Sequence, residues 1–192
     1  RDLIELFKVP EEKTSVIYLG FDLNNDNNLE YKLPKEQIIL FVGDRSGYKN
    51  FKNLVLAYAR NKKIKTSFKL VAFGGKPFSY REKTFFKEIG LSKNNIVREI
   101  GNDQKLIEFY KKSSLFVYPS LYEGFGIPPL EAMSLECPVA CSNTSSIAEV
   151  VCDAGVYFDP YSVDSISRTI EFILQDDSLR KELIKKGKKR IK

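Results

Sequence analysis

The chain has 192 residues, enough for one domain of ordinary size with its own core. Apolar residues make up 43% and charged residues 29%, with a net charge of +6; this is a globular composition in which no apolar run is long enough to span a bilayer. The absence of histidine excludes Ser-His-Asp and Cys-His catalysis, and histidine-based metal sites, from this part of the protein.

Asp2 to Val9 has helical spacing, with Leu3, Leu6 and Phe7 on one face, and Pro10 stops it. The chain starts at Arg1 with no secretory pattern, and is expected to be a piece of a longer protein. Ser15 to Gly20 reads as a strand, and Asn24 to Asn28 as a loop. That loop is a poor match to calcium-binding chemistry, because it lacks the central glycine and the distal glutamate.

Ile38-Ile39-Leu40-Phe41-Val42 is an uninterrupted apolar run, the mark of a strand in a sheet covered on both faces. It enters Gly43-Asp44-Arg45-Ser46-Gly47-Tyr48-Lys49-Asn50, followed by a helix with Phe51, Leu54, Val55 and Tyr58 on its inner face. Loops of this kind, at the carboxyl end of a buried strand, are where doubly wound sheets hold ligands. Arg45 offers a planar fork to phosphate and Lys49 a point charge, although solvated basic residues are also common in such loops. Phe68 to Phe73 is a second strand, ending in a turn at Gly74-Gly75. Tyr80 to Ile89 reads as a helix, Asn95 to Gly101 as a short strand, and Asp103 as the cap of a helix from Gln104 to Lys112 whose Leu106, Ile107 and Tyr110 face inward.

Leu115-Phe116-Val117-Tyr118 is another buried strand, bounded by Pro119. After it come Glu123-Gly124-Phe125-Gly126 and then Ile127-Pro128-Pro129-Leu130-Glu131-Ala132-Met133, a glycine turn re-forming as a helix with proline in its first turn. A helix start of this kind favours an anion, and Glu123 and Glu131 are acceptors suited to sugar hydroxyls. On spacing alone the two glutamates fit equally well as solvated residues of an ordinary strand–helix junction. Cys137 to Cys141 is a further strand, Ser142 to Ser146 a loop and cap before a short helix at Ile147, and Gly155 to Phe158 the last strand, with closing helices over 162–174 and 178–189. Cys137, Cys141 and Cys152 have no metal spacing; an odd number of cysteines reads as free thiols in the cytoplasm. Lys185 to Arg190 is a dense basic cluster. It reads first as a solvated helix end and second as a contact with an anionic membrane surface; without interleaved aromatics it argues against nucleic acid. Six or seven strands alternating with helices make a doubly wound parallel α/β sheet of Rossmann-like form.

Glu123-Gly124-Phe125-Gly126 followed by Pro129-Leu130-Glu131-Ala132 resembles the E-x7-E signature of family-4-type retaining glycosyltransferases of the GT-B fold (glycosyltransferases group 1). The likeness runs from about Ser15 to about Leu183. It implies the C-terminal, donor-binding domain of such an enzyme, with residues 1–14 a linker from an N-terminal acceptor domain and residues 15–192 the nucleotide-sugar-binding domain. By this likeness Arg45 and Lys49 hold the donor diphosphate, the turn at Gly74 faces the nucleotide, and Val97 and Arg98 lie beside the base. Gly74 also fits a simple chain reversal, and Arg98 an ordinary edge residue. Glu131 would accept from the ribose hydroxyls, and Glu123 with the N–H groups of Gly124, Phe125 and Gly126 would hold the sugar. Ser145 and Glu149 read as structural.

The implied reaction is retaining transfer of a hexose from a GDP- or UDP-linked donor to a glycan or lipid-linked acceptor. No cofactor or metal is expected, because no Asp-x-Asp pair sits in a metal-ligand setting. Similarity of Tyr48-Lys49-Asn50 and of Asp153 to Pro160 to bacterial mannosyltransferases of polysaccharide assembly favours mannose. The expected location is cytoplasmic, with peripheral contact at the inner membrane face, and the chain alone is expected to bind donor without appreciable transfer. Two alternatives stand beside this: a catalytically silent nucleotide-sugar-binding module, and a sugar-nucleotide epimerase of similar shape, which the absence of histidine disfavours.

Overall fold

The computed structural model describes residues 2–15, 35–45 and 47–192. The expected strand over 15–20 and the Asn-rich loop over 24–28 lie almost wholly outside the described residues. Six strands are described: β1 (Glu36–Val42), β2 (Lys69–Phe73), β3 (Ile96–Glu99), β4 (Ser113–Tyr118), β5 (Val139–Ser142) and β6 (Gly155–Phe158). All are parallel, in the order β3-β2-β1-β4-β5-β6. That is the order of a doubly wound Rossmann-type sheet, as expected.

The period-2 alternation of each strand builds two cores. Ile39 and Phe41 of β1 and Leu115 and Val117 of β4 point to one face. There they meet Leu54, Val55 and Tyr58 of α2 (Phe51–Arg60) and Ile166, Ile170 and Ile173 of α8 (Val163–Gln175). Ile38, Leu40, Phe116 and Tyr118 point to the other. They pack on Ile107 and Tyr110 of α5 (Asp103–Lys112), Leu130 and Met133 of α6 (Ile127–Ser134) and Ile147 and Val150 of α7 (Ile147–Val151). The remaining helices are α1 (Asp2–Glu5), α3 (Lys62–Ser67), α4 (Tyr80–Glu88) and α9 (Asp177–Arg190).

Several local expectations change. The first helix ends at Glu5, because Lys8 turns left-handed and the Val9 N–H closes back on the Leu3 carbonyl before Pro10 is reached. Leu3, Leu6 and Phe7, which helical spacing puts on one face, are exposed. The cap of α5 is Asn102, whose side chain accepts from the Lys105 N–H, and Asp103 is the first helical residue. α4 begins with a reciprocal capping box between Ser79 and Glu82.

Lys186, Lys188 and Arg190 of the basic cluster on α9 contact the protein itself. Lys186 pairs with Glu182 at 2.8 Å, Lys188 with Glu136 at 2.7 Å, and Arg190 donates to the carbonyls of Val150 and Glu149 at the end of α7. Gly187 lies where α9 crosses α6; a Cβ there would stand 3.1 Å from Met133 Cγ, a tight contact that the methionine side chain would have to relieve. Among the described residues no helix is long and apolar enough to cross a membrane.

Candidate functional site

The sheet order reverses between β1 and β4. From β1 the chain crosses to β2 on one side, while β4 lies on the other and leads away to β5. The loops leaving the carboxyl ends of β1 and β4 therefore diverge, and the crevice between them is where an open parallel sheet accepts a ligand. Both loops singled out in the sequence border it.

Lys49, in a 3₁₀ turn over Gly47–Lys49, meets Glu123 of the β4–α6 loop, with Nζ 2.7 Å from Oε1. The two side chains are only 18% and 11% exposed, so the pair is well shielded from solvent. The ammonium also lies 5.2 Å from the Tyr48 ring centroid and 5.4 Å from that of Tyr118. Burial, and then the neighbouring Glu123 carboxylate, push the Tyr118 hydroxyl far above the ordinary tyrosine range, so it stays a proton donor.

Two consecutive serines fasten the Glu123 backbone. The Glu123 N–H donates to Ser145 Oγ at 3.0 Å, and the Ser146 hydroxyl is shared between the carbonyls of Glu123 at 2.8 Å and Phe125 at 2.9 Å. The expected capping role for this serine loop is thus displaced. Ser146 precedes α7 but makes no side-chain cap, and its hydroxyl serves the glycine turn instead.

Gly126 caps α6 in a left-handed conformation, φ 109°, that side chains rarely adopt. Gly124 is exposed, Phe125 is half-buried against the second core, and space lies open where a Gly124 side chain would be. The helix start is poorer in donors than a typical one, because Pro128 and Pro129 remove two of its first N–H groups.

Glu131 lies one turn into α6 and is half-buried. Its Oε2 accepts from the Tyr110 hydroxyl at 2.9 Å. Burial raises its carboxyl above the ordinary range; the Tyr110 hydrogen bond works against that, and Asp103 adds to it. Tyr110, fully buried against Phe116, looked by spacing like a plain core residue.

Arg45, Gly74, Val97 and Arg98 form a second group around the turn after β2. Arg45, expected on a diphosphate, spends Nε on Glu82 at 2.9 Å and Nη2 on the Lys76 carbonyl at 2.7 Å, with its guanidinium 4.7 Å from the Phe78 ring centroid. Nη1 is buried without a hydrogen-bond partner and lies against Gly75, where a Cβ would stand 2.8 Å away. Burial pushes the Glu82 carboxyl up, but hydrogen bonds from Arg45 and Ser79 outweigh it and hold the group below its ordinary value. Arg98, expected beside a base, donates through Nε to the carbonyls of Gly74 at 3.3 Å and Gly75 at 3.0 Å, and through Nη2 to that of Gly75 at 2.6 Å. Val97 is half-buried against the second core. Two arginines thus brace one turn, and the acceptors that hold them gave no signal in the sequence. Among the described residues no three acidic, cysteine or histidine side chains gather as metal ligands.

Comparison with known proteins matches this arrangement. The family described as "Glycosyl transferases group 1" matches residues 25–190. O-antigen chain mannosyltransferase B of Escherichia coli is 37% identical over 161 residues, covering 82% of this chain and 42% of the relative. The N-acetylgalactosamine-N,N'-diacetylbacillosaminyl-diphospho-undecaprenol 4-alpha-N-acetylgalactosaminyltransferase of Campylobacter jejuni is 29% identical, covering 100% of this chain and 52% of the relative. Sucrose-phosphate synthase from Thermosynechococcus elongatus superposes with a TM-score of 0.73 at 26% identity, over 83% of this chain and 41% of that one. The C-terminal domain of a glycosyl transferase group 1 family protein from Francisella tularensis superposes with a TM-score of 0.71 at 24% identity, over 83% of this chain and 86% of that one, a likeness of fold. The sheet is that of the C-terminal half of a GT-B fold. The chain spans about half the length of the curated relatives it matches. With its family match over most of its length, the chain belongs to the glycosyl transferases group 1.

Proposed function

We propose that residues 15–192 are the nucleotide-sugar-binding domain of a retaining hexosyltransferase, that residues 1–14 lead from an acceptor-binding domain, and that mannose carried on GDP is the favoured donor. The observation that carries this is the shielded Lys49–Glu123 pair in the crevice between β1 and β4, with Glu131 one turn further along α6. Transfer breaks the bond between the sugar's anomeric carbon and the diphosphate, and forms one to an acceptor oxygen whose proton leaves. Negative charge grows on the departing diphosphate, and Lys49 stands where it would neutralise that charge. Glu123, with the backbone N–H groups of Gly124, Phe125 and Gly126, holds the sugar hydroxyls. Glu131 accepts from the ribose. Arg45 and Arg98 act on the nucleotide through the Gly74–Gly75 turn they hold, beside Val97, and Lys49 is the principal cation.

The name of the E. coli relative supports mannose, and that of the C. jejuni relative, which includes a diphospho-undecaprenol, supports a lipid-linked acceptor. No metal is required, because Lys49 and backbone N–H groups supply the positive charge. The test is transfer from GDP-mannose to a lipid-linked glycan by the full-length enzyme, with the product's anomeric configuration read by NMR. Retained configuration, at a rate unaffected by EDTA, is the expected result. An inverted product, or activity lost in EDTA and restored by magnesium, would overturn the reading.

A further inference from the structure

Asn50 sits between Lys49 and α2, in the place of the helix cap, with its backbone left-handed at φ 55° and ψ 28°. An asparagine there ordinarily turns its side chain onto the first N–H groups of the helix. This one makes no such bond. Its side-chain amide is buried, and Nδ2 donates to two carbonyls far off in the chain, Pro119 at 3.0 Å and Pro160 at 2.8 Å. Pro119 follows β4 and Pro160 follows β6, so one amide ties together three loops at the carboxyl edge of the sheet.

Three successive residues grip alternate positions of the β4–α6 loop. Asn50 donates to the Pro119 carbonyl, the Tyr48 carbonyl accepts from the Leu121 N–H at 2.7 Å, and Lys49 pairs with Glu123. The contact at Pro119 thus sets the register in which Lys49 and Glu123 meet. Nothing in the covalent chain does so, since the two loops are joined only through β2 and β3 and the helices between. Asn53 also donates to Pro160, at 3.1 Å, but not to Pro119.

We propose that Asn50 is a positioning residue for the transfer reaction, which spans the reversal of strand order and holds Lys49 against Glu123 in the geometry that receives the donor diphosphate. This rests on the donor-binding reading above, although its structural part stands apart from that reading. A left-handed residue with two side-chain N–H donors is needed at this position, and asparagine meets both demands.

The test compares Asn50→Gly, which keeps the left-handed backbone and deletes the amide, with Asn53→Ala, which removes only the secondary bond to Pro160. Asn50→Asp, of the same shape without the donors, serves as a second variant should the glycine form not fold. Amide exchange is read at Leu121. Binding is read by titrating whichever of GDP, UDP and ADP the protein takes, together with its nucleoside alone. The loss of Asn50 is expected to speed exchange at Leu121 and to weaken diphosphate binding, each by about tenfold, with nucleoside binding and the Asn53→Ala protein near wild type. Unchanged exchange at Leu121, or equal losses for diphosphate and nucleoside, would overturn the proposal. If wild type binds none of the three nucleotides, the donor-binding reading fails, and the exchange measurement alone decides whether Asn50 holds the loops.

Discussion

Lys49→Ala is expected to weaken nucleoside-diphosphate binding by about 30- to 4,000-fold, the equivalent of about 2–5 kcal/mol for truncating one partner of a shielded charge pair. Two effects add. The diphosphate loses its principal cation, and Glu123, 11% exposed, is left as an uncompensated negative charge facing the incoming phosphates. Glu123→Gln in the same background removes the second effect and should recover part of the affinity. A double-mutant cycle by calorimetry separates the two contributions. A loss smaller than about threefold for Lys49→Ala would mean that the diphosphate lies elsewhere, since even a single charge-assisted hydrogen bond is worth more than that.

Glu131→Ala should weaken binding of the nucleoside portion by about 10- to 100-fold, the worth of one or two hydrogen bonds to a charged acceptor. It also strips the buried Tyr110 hydroxyl of its best acceptor, leaving only the Pro128 carbonyl at 3.4 Å, and so should cost about 1–3 kcal/mol of stability. The pH dependence is a sharper signature. Glu131 sits above the ordinary carboxyl value of 4.5, mainly through burial. The folded protein therefore holds this proton more tightly than the unfolded chain. Its contribution to stability is fully present below pH 4.5 and is lost as pH rises through the folded value. Nucleoside binding runs the other way, because only the ionised carboxylate accepts from both ribose hydroxyls. Acidification should thus weaken binding above pH 4.5 while this group stabilises the fold. Tyr110→Phe removes the hydrogen bond that holds the carboxyl down, and should move the acid limb of binding to higher pH. Glu131→Gln should abolish the limb. An acid limb that persists unchanged in Glu131→Gln would assign the titration to another group.

The sheet was legible because its signals are local. The apolar run over 38–42 and the run over 115–118 read as strands covered on both faces, and their alternating residues do feed two cores. The Lys49 and Glu123 loops were legible for the same reason, each being a short motif at the end of a strand. What escaped was long-range pairing. Arg45 reads as a phosphate fork, and its bonds to Glu82, 37 residues away, and to the Lys76 backbone carbonyl leave no local signal. Arg98 lies beside a base by the family likeness, and its bonds to the Gly74–Gly75 turn leave no signal in the sequence, since a guanidinium looks the same in either setting. Ser146 has the residue type and place of a helix cap, and only the folded chain brings the Glu123 and Phe125 carbonyls to it. Tyr110 matched a core position by spacing, and its hydroxyl's role appears only with α6 packed against α5. Helix caps failed by a single residue at Asn102 and Asp103, where both side chains are competent and backbone geometry alone chooses.

The measurement that tests the central claim most directly is calorimetric titration of this chain with GDP, UDP and ADP in the absence of added metal, repeated on the full-length enzyme. Selective binding of one nucleotide, GDP being favoured, with the affinity lost in Lys49→Ala, is the expected result. Failure of the full-length enzyme to bind any of the three, or binding that survives Lys49→Ala undiminished, would contradict it.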